Sequence, residues 1–244
     1  MTAIALPDTR NVEDWRYAPQ AALAELWPLE APEAVTIPAG ETFARAIVLE
    51  SDDVVQLDLT LEAGARAAVH VVNAGAGYGR VAVTATLGEG ADFQFGGVQL
   101  GGGTASREIV VSVTHAAPGA TSRQVMRSVV ARQASATVLG RIAVSRGANG
   151  TDAEQSIRAM LLDRTAVANA RPELEIFADD VKCAHGCAVG ELDAMGLFYL
   201  QSRGLDPAAA KRLMLQSFVA EAFVGAADEQ QLDDAALKAL EALL

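Results

Sequence analysis

Short runs in which apolar and polar residues alternate fill the middle of the chain, and they predict β-strands with one buried face. The alternation is clearest in four runs: Val54 to Leu61, Arg80 to Leu87, Glu108 to His115 and Arg141 to Val144. Turn sequences that contain glycine punctuate the same region. The turn glycines are Gly40, Gly64, Gly90, Gly119 and Gly147.

These glycines recur with a nearly constant period, since successive ones are 24, 26, 29 and 28 residues apart. A unit of this length holds two or three short strands and a turn, and it cannot bury its apolar face alone. Such units therefore stack, one coil on the next. We expect a mostly β fold, a β-helix or a closely related β-solenoid of about five to six coils. An antiparallel β-sandwich is the alternative.

The pattern divides the chain into an amino-terminal segment (1–34), a solenoid core (35–187) and a carboxy-terminal helical subdomain (188–244). In the last part, apolar residues recur at helical spacing. Gly204 is placed to end one helix. Asp206 and Pro207 are placed to begin the next as cap and first residue. A final helix is expected from about Leu232 to the end.

Composition narrows the classes of function. The chain has 19 Lys and Arg against 31 Asp and Glu, a net charge of -12, which argues against binding to nucleic acid or to anionic lipid. No apolar run is long enough to span a membrane. The first ten residues lack a basic region followed by an apolar one, so we expect no signal peptide and a cytoplasmic protein.

The strongest chemical cluster is Cys183-Ala184-His185-Gly186-Cys187, which holds both cysteines and one of the three histidines. In a strand, Cys183, His185 and Cys187 lie on the same face. Thiolate and imidazole suit zinc, copper(I) and iron–sulfur clusters. Structural zinc and iron–sulfur sites usually need four ligands, so a site here would be open, transient or completed by another chain. The alternative is two reduced cysteines packed as small apolar residues beside a structural histidine.

The residues around this cluster resemble the SufD members of the SufB/SufD family. The most specific match is Asp179-Asp180-Val181-Lys182-Cys183-Ala184-His185-Gly186. Similar strings occur at 151–155, 171–176 and 197–200, and the segment 9–17 is similar to the one that enters the family's β-helix. The resemblance therefore covers nearly the whole chain.

This resemblance implies a right-handed parallel β-helix followed by helices, and a scaffold role, without enzymatic activity, in iron–sulfur cluster assembly with SufB and the ATPase SufC. It implies that His185 takes the position of the family's histidine at the SufB–SufD interface and that Cys183 matches the neighbouring cysteine. A cluster would be bound there only transiently, with His185 and Cys183 as metal ligands. We therefore expect no tightly bound cofactor in the isolated chain. Cys187 stands where the family commonly has a small residue without a thiol, and it is a further candidate ligand.

The resemblance also implies that the carboxy-terminal helices dock SufC. The apolar residues expected at that contact are Leu197, Phe198, Leu213, Phe218 and Phe223. Compared with longer family members, the chain is expected to be a short form without most of the amino-terminal helical extension. Two other functions stay open: a homodimeric adaptor for SufC that makes no cluster, and a zinc or redox protein that uses Cys183 and Cys187.

Overall fold

The structure is a computed structural model that describes residues 6–7 and 12–244, and within them twelve strands wind into a solenoid. The strands are β1 (Glu33–Ile37), β2 (Thr42–Leu49), β3 (Asp53–Leu61), β4 (Arg66–Gly75), β5 (Tyr78–Leu87), β6 (Asp92–Gly101), β7 (Ser106–His115), β8 (Thr121–Val130), β9 (Ser135–Val144), β10 (Thr151–Leu161), β11 (Val167–Ile176) and β12 (Val181–Gly190). Odd-numbered strands form one parallel sheet and even-numbered strands the other. This confirms the β-solenoid and excludes the antiparallel sandwich, whereas the right-handed sense stays a prediction.

Glycine turns set the repeat of the coils, as their spacing predicts. All five turn glycines have positive φ, between 62° and 81°, a backbone conformation that side chains with a Cβ disfavour. The turns also stack on one another. For example, the Gly64 N–H donates to the Glu89 carbonyl at 2.8 Å, and the Gly90 N–H donates to the Pro118 carbonyl at 2.9 Å.

The main core lies between the two sheets and is built from inward-facing apolar side chains. On β5, Val83 and Ala85 are buried, while Thr84 and Thr86 are exposed on the opposite face. This is the alternation that the sequence shows, because successive side chains of a strand point to opposite faces.

In the part of the chain that the structure describes, four α-helices flank the solenoid: α1 (Gln20–Leu26), α2 (Ala194–Ser202), α3 (Pro207–Ala220) and α4 (Glu229–Glu241). The predicted start of α3 is confirmed, since the Asp206 carboxylate accepts hydrogen bonds from the N–H groups of Ala208 and Ala209 at 3.0 Å. Gly204 has a φ of 97° just after α2, as predicted for a helix end.

A second core joins α3 and α4 to the outer face of the even-numbered sheet. Its buried residues include Val72, Val98, Val129, Leu215, Val219, Phe223, Leu232 and Leu240. Beside them the buried Arg127 guanidinium contacts the Glu221 carboxylate at 2.8 Å and lies 5.8 Å from the Phe218 ring. The helices therefore form one packed unit with the solenoid.

The solenoid extends from Glu33 to Gly190, two and three residues beyond the predicted core boundaries. The amino-terminal segment packs against the odd-numbered sheet, where the Trp15 ring lies 3.9 Å from the Arg80 guanidinium. Of the amino-terminal resemblance, residues 9–11 lie outside the described residues. In the part of the chain that the structure describes, no helix is both long and apolar enough to cross a membrane.

Candidate functional site

The Cys183–Cys187 cluster lies on β12, the last strand of the even-numbered sheet. Among the described strands, β12 pairs only with β10, in parallel register. Its other edge therefore presents backbone N–H and C=O groups that no described strand pairs. β11 ends the odd-numbered sheet in the same way, pairing only with β9. The last coil is thus an open end of the solenoid.

Strand register places the two thiols and the imidazole on the inner face of this last coil. Their register partners on β10 are Ala153 for Cys183, Gln155 for His185 and Ile157 for Cys187, and all three partners are buried. Because register partners in a parallel sheet point the same way, Cys183, His185 and Cys187 share one face, as their alternation predicts. The register adds that this face is the coil interior.

The open end makes this inner face accessible, since no further coil of the described residues covers it. Cys183 is half-buried and packs beside Val181, Ile142 and Ala153. His185 and Cys187 are exposed. The cluster is therefore a row of side chains along the last strand, half-buried at Cys183 and exposed at His185 and Cys187.

The row is too extended to close around one ion by itself. Successive same-face residues of a strand are about 7 Å apart, whereas metal–ligand bonds are about 2.0–2.3 Å long. Within residues 6–7 and 12–244, no group of three or more His, Cys, Asp and Glu side chains is arranged to hold a metal ion. The row therefore does not form a complete metal site with the other residues that the structure describes.

The half-buried Cys183 differs in reactivity from an ordinary thiol. The pKa of the Cys183 thiol is raised above its usual value, mainly by burial and to a smaller extent by the negative charge of Asp152. Because the thiolate is the form that binds metals, Cys183 needs a cation or a partner's positive charge before it becomes a good ligand.

The other two histidines, His70 and His115, do not belong to this site. His115 is buried, and its Nε2 lies 2.9 Å from the Ser122 hydroxyl. Burial lowers the pKa of His115 to about 4 and also lowers the pKa of His70. Both imidazoles are therefore neutral structural groups at neutral pH.

A second candidate surface lies on α2, which begins three residues after β12 ends. None of its side chains is buried, although most are apolar. Phe198 is 64% exposed, and Leu213, from the neighbouring α3, is also exposed. Leu197 is partly exposed. An apolar helix with no buried face is typical of a contact with another protein.

The structure corrects one residue of the predicted docking set. Phe223 is completely buried in the core between the helices and the even-numbered sheet, so its ring stabilises this chain and is not available to a partner. Phe218 is only partly buried, beside Arg127. Helical spacing alone cannot separate an inward from an outward aromatic residue.

Two further large apolar side chains of α2, which the predicted docking set left out, are exposed beside Phe198. Met195 is 72% exposed and Tyr199 is 56% exposed, both on α2 beside Phe198. The signal that could have found them is the apolar character of α2 on all sides, because a helix that packs on its own chain normally keeps one polar face.

Comparison of the sequence with known proteins identifies the family of the chain. The family model described as SUF system FeS cluster assembly, SufBD core domain, matches residues 48–218. The chain is 42% identical over 105 residues to Protein ABCI7, chloroplastic, of Arabidopsis thaliana, an alignment that covers 43% of this chain and 22% of that protein.

Two bacterial relatives carry the name iron–sulfur cluster assembly protein SufD. The Escherichia coli protein is 37% identical over 108 residues, covering 44% of this chain and 26% of that one. The Bacillus subtilis protein is 31% identical over 123 residues, covering 50% and 28%. The matched part of the chain thus spans about a quarter of the length of these curated relatives.

Proposed function

The chain belongs to the SufBD core family of the SUF system for iron–sulfur cluster assembly, and on this premise we propose that it is a non-catalytic scaffold subunit. In this proposal it pairs with SufB through the open end of its solenoid and docks the ATPase SufC on α2. The cluster is cargo that forms transiently between subunits, and the isolated chain binds none tightly.

One observation carries the proposal: thiol and imidazole side chains line the inner face of β12, a strand whose second edge pairs with no described strand. A partner strand can add to the free edge of β12 through main-chain hydrogen bonds. Such pairing would bring the partner's ligands opposite His185 and complete a coordination shell that this chain cannot complete alone.

Within the row, each side chain has a distinct expected role. His185 is exposed and presents an imidazole nitrogen as a ligand to incoming iron. Cys183 joins once a bound cation lowers the pKa of its thiol. Cys187 is exposed at the mouth and is a further ligand for the same cargo.

The docking surface for SufC consists of exposed apolar residues on α2 and at the adjacent face of α3. Its members are Met195, Leu197, Phe198, Tyr199, Leu213 and the partly exposed Phe218. Because only residues 191–193 separate α2 from β12, a movement of α2 driven by ATP binding would pull directly on the strand that holds His185. This short connection is how the ATPase would open the interface.

The test uses the chain co-expressed with SufB and SufC, and measures iron and acid-labile sulfide in the purified complex. We expect His185→Ala to leave the complex assembled but to lower its cluster content severalfold. Lys182→Ala is the matched control, because Lys182 is exposed on the opposite face of the same strand and should keep the normal content. A normal cluster content in His185→Ala would remove His185 from the mechanism.

The same purification separates the other assignments. A complex of this chain and SufC without SufB, and without iron or sulfide, would favour the homodimeric adaptor. Stoichiometric zinc in the isolated chain would favour the zinc protein. The extended spacing of Cys183, His185 and Cys187 argues against that last function.

A further inference from the structure

A column of inward side chains runs through the even-numbered sheet and ends at His185. Strand register aligns Val69, Phe95, Gln124, Gln155 and His185 on successive coils. On β2 the register partner of Val69 is Arg45, so the column begins with a charged residue at the far end of the solenoid, is apolar at Val69 and Phe95, and becomes polar again in the two coils beneath His185. Since both glutamines are buried, at 0% and 1% exposure, this change of character lies inside the solenoid.

The two glutamines form a hydrogen-bonded pair that leaves one donor, the Gln124 Nε2, and one acceptor, the Gln155 Oε1, without a partner among the described residues. The Gln155 amide donates through Nε2 to the Gln124 Oε1 at 2.8 Å. The Gln155 Oε1 is buried and has no hydrogen-bond partner among the described residues. A buried amide oxygen without a partner is destabilising, so this one needs an explanation.

The glycine across the coil makes room for this amide. A Cβ at Gly140 would meet the Nε2, Cδ and Oε1 atoms of Gln155 at 2.5–2.8 Å. Any larger residue at 140 would therefore displace the amide from the interior. Gly140 on β9 thus leaves the space in which the side-chain amide of Gln155, on β10, lies directly beneath the last coil.

We propose that the Gln155 Oε1 accepts a hydrogen bond from a ring N–H of His185 and thereby fixes the imidazole tautomer. The Gln155 Nε2 is engaged by the preceding coil, so its oxygen lies on the side of the coil that follows, where His185 is the register partner. Adjacent strands are about 4.8 Å apart, so the imidazole of His185 on β12 can reach the side-chain amide of Gln155 on β10. His185 is exposed, so little packing opposes the rotation of its side chain towards Gln155.

The consequence concerns the other nitrogen of the ring. In a neutral imidazole only one nitrogen holds a proton. When that N–H donates a hydrogen bond to Gln155, the second nitrogen presents its lone pair. Histidine ligands of metals commonly donate their second N–H to such an acceptor, which orients the ring. Gln155 is thus a positioning residue for His185, an inference that rests on the proposed scaffold function.

The test is the tautomer of His185 in the full chain labelled with ¹⁵N-histidine, at about pH 8.5, where an ordinary imidazole is neutral. Long-range ¹H–¹⁵N correlation spectra show which ring nitrogen holds the proton, and loss of a signal in His185→Gln assigns it. We expect one dominant tautomer in the wild type and a mixture of two in Gln155→Met. Gln155→Glu, which keeps an acceptor at this position, should restore the single tautomer.

Gln99→Met is the matched control. Gln99 is also fully buried, but its amide is satisfied by the Thr137 carbonyl and the Ser128 hydroxyl, so its loss should leave the His185 tautomer unchanged. An unchanged tautomer in Gln155→Met, or an equal change in Gln99→Met, would overturn the inference.

A second measurement covers the case in which Gln155→Met does not fold. His185→Phe replaces an exposed residue and removes every ring N–H. We expect it to shift the side-chain carbonyl ¹³C resonance of Gln155. An unchanged resonance would also overturn the inference.

The two levels of proposal fail in different ways. If the His185 tautomer is unchanged in Gln155→Met while His185→Ala still lowers cluster content, the positioning role is wrong and the scaffold function stands. If the tautomer responds to Gln155 while His185→Ala has normal cluster content, the contact stands and the proposed role of His185 is wrong.

Discussion

Phe198 and Phe223, which the family resemblance led us to expect on one docking surface, should behave in opposite ways when each is replaced by alanine. Phe223 is fully buried, and an aromatic side chain buries about 200 Å². At about 25 cal/mol per Å², this burial contributes at most about 5 kcal/mol, and measured Phe→Ala losses in cores are about 3–5 kcal/mol. Phe198 is 64% exposed, so we expect Phe198→Ala to lower the free energy of unfolding by about 1 kcal/mol or less.

Urea denaturation followed by circular dichroism measures both losses. Pull-down with SufC gives the complementary readout, in which Phe198→Ala should bind weakly while remaining folded. The reasoning would be refuted if Phe198→Ala lost as much stability as Phe223→Ala. Full SufC binding by a folded Phe198→Ala protein would refute the docking surface on α2.

Two further predictions concern groups with shifted pKa values. The charge of Asp152 is the second cause, smaller than burial, that raises the pKa of Cys183. Asp152→Asn removes this charge, so alkylation of Cys183 at about pH 8 should become severalfold faster relative to alkylation of Cys187. An unchanged ratio of the two alkylation rates, measured by mass spectrometry, would contradict this. Burial lowers the pKa of His115 to about 4 from 6.5, so the unfolded chain binds the proton more readily. The free energy of unfolding should therefore decrease as the pH falls from about 6.5 to about 4, with a shallower decrease in His115→Gln; equal declines in urea curves would count against it.

The odd-numbered strands could be predicted from sequence, and many of the even-numbered ones could not. All four clear alternating runs correspond to β3, β5, β7 and β9, whose outer face is only partly covered, so that polar residues alternate with apolar ones. On β6 the burial is nearly continuous, because the helices cover its outer face, and the period of two is lost from the sequence.

The candidate site shows the same division. The Cys183, His185 and Cys187 row could be predicted because it depends only on local strand alternation. The Gln155 partner could not, since it depends on the register between β10 and β12, which joins residues 30 positions apart. The burial of Phe223 likewise depends on how α3 and α4 lie against the even-numbered sheet.

By itself the sequence determined the repeat, the turns, the helix caps and the family, because these depend on short-range patterns of glycine, proline, charge and alternation. Only the tertiary structure decided which side chains face a partner and which face the chain's own core. The open end of the last coil and the free acceptor of Gln155 arise from contacts between coils, and no local pattern in the chain specifies them.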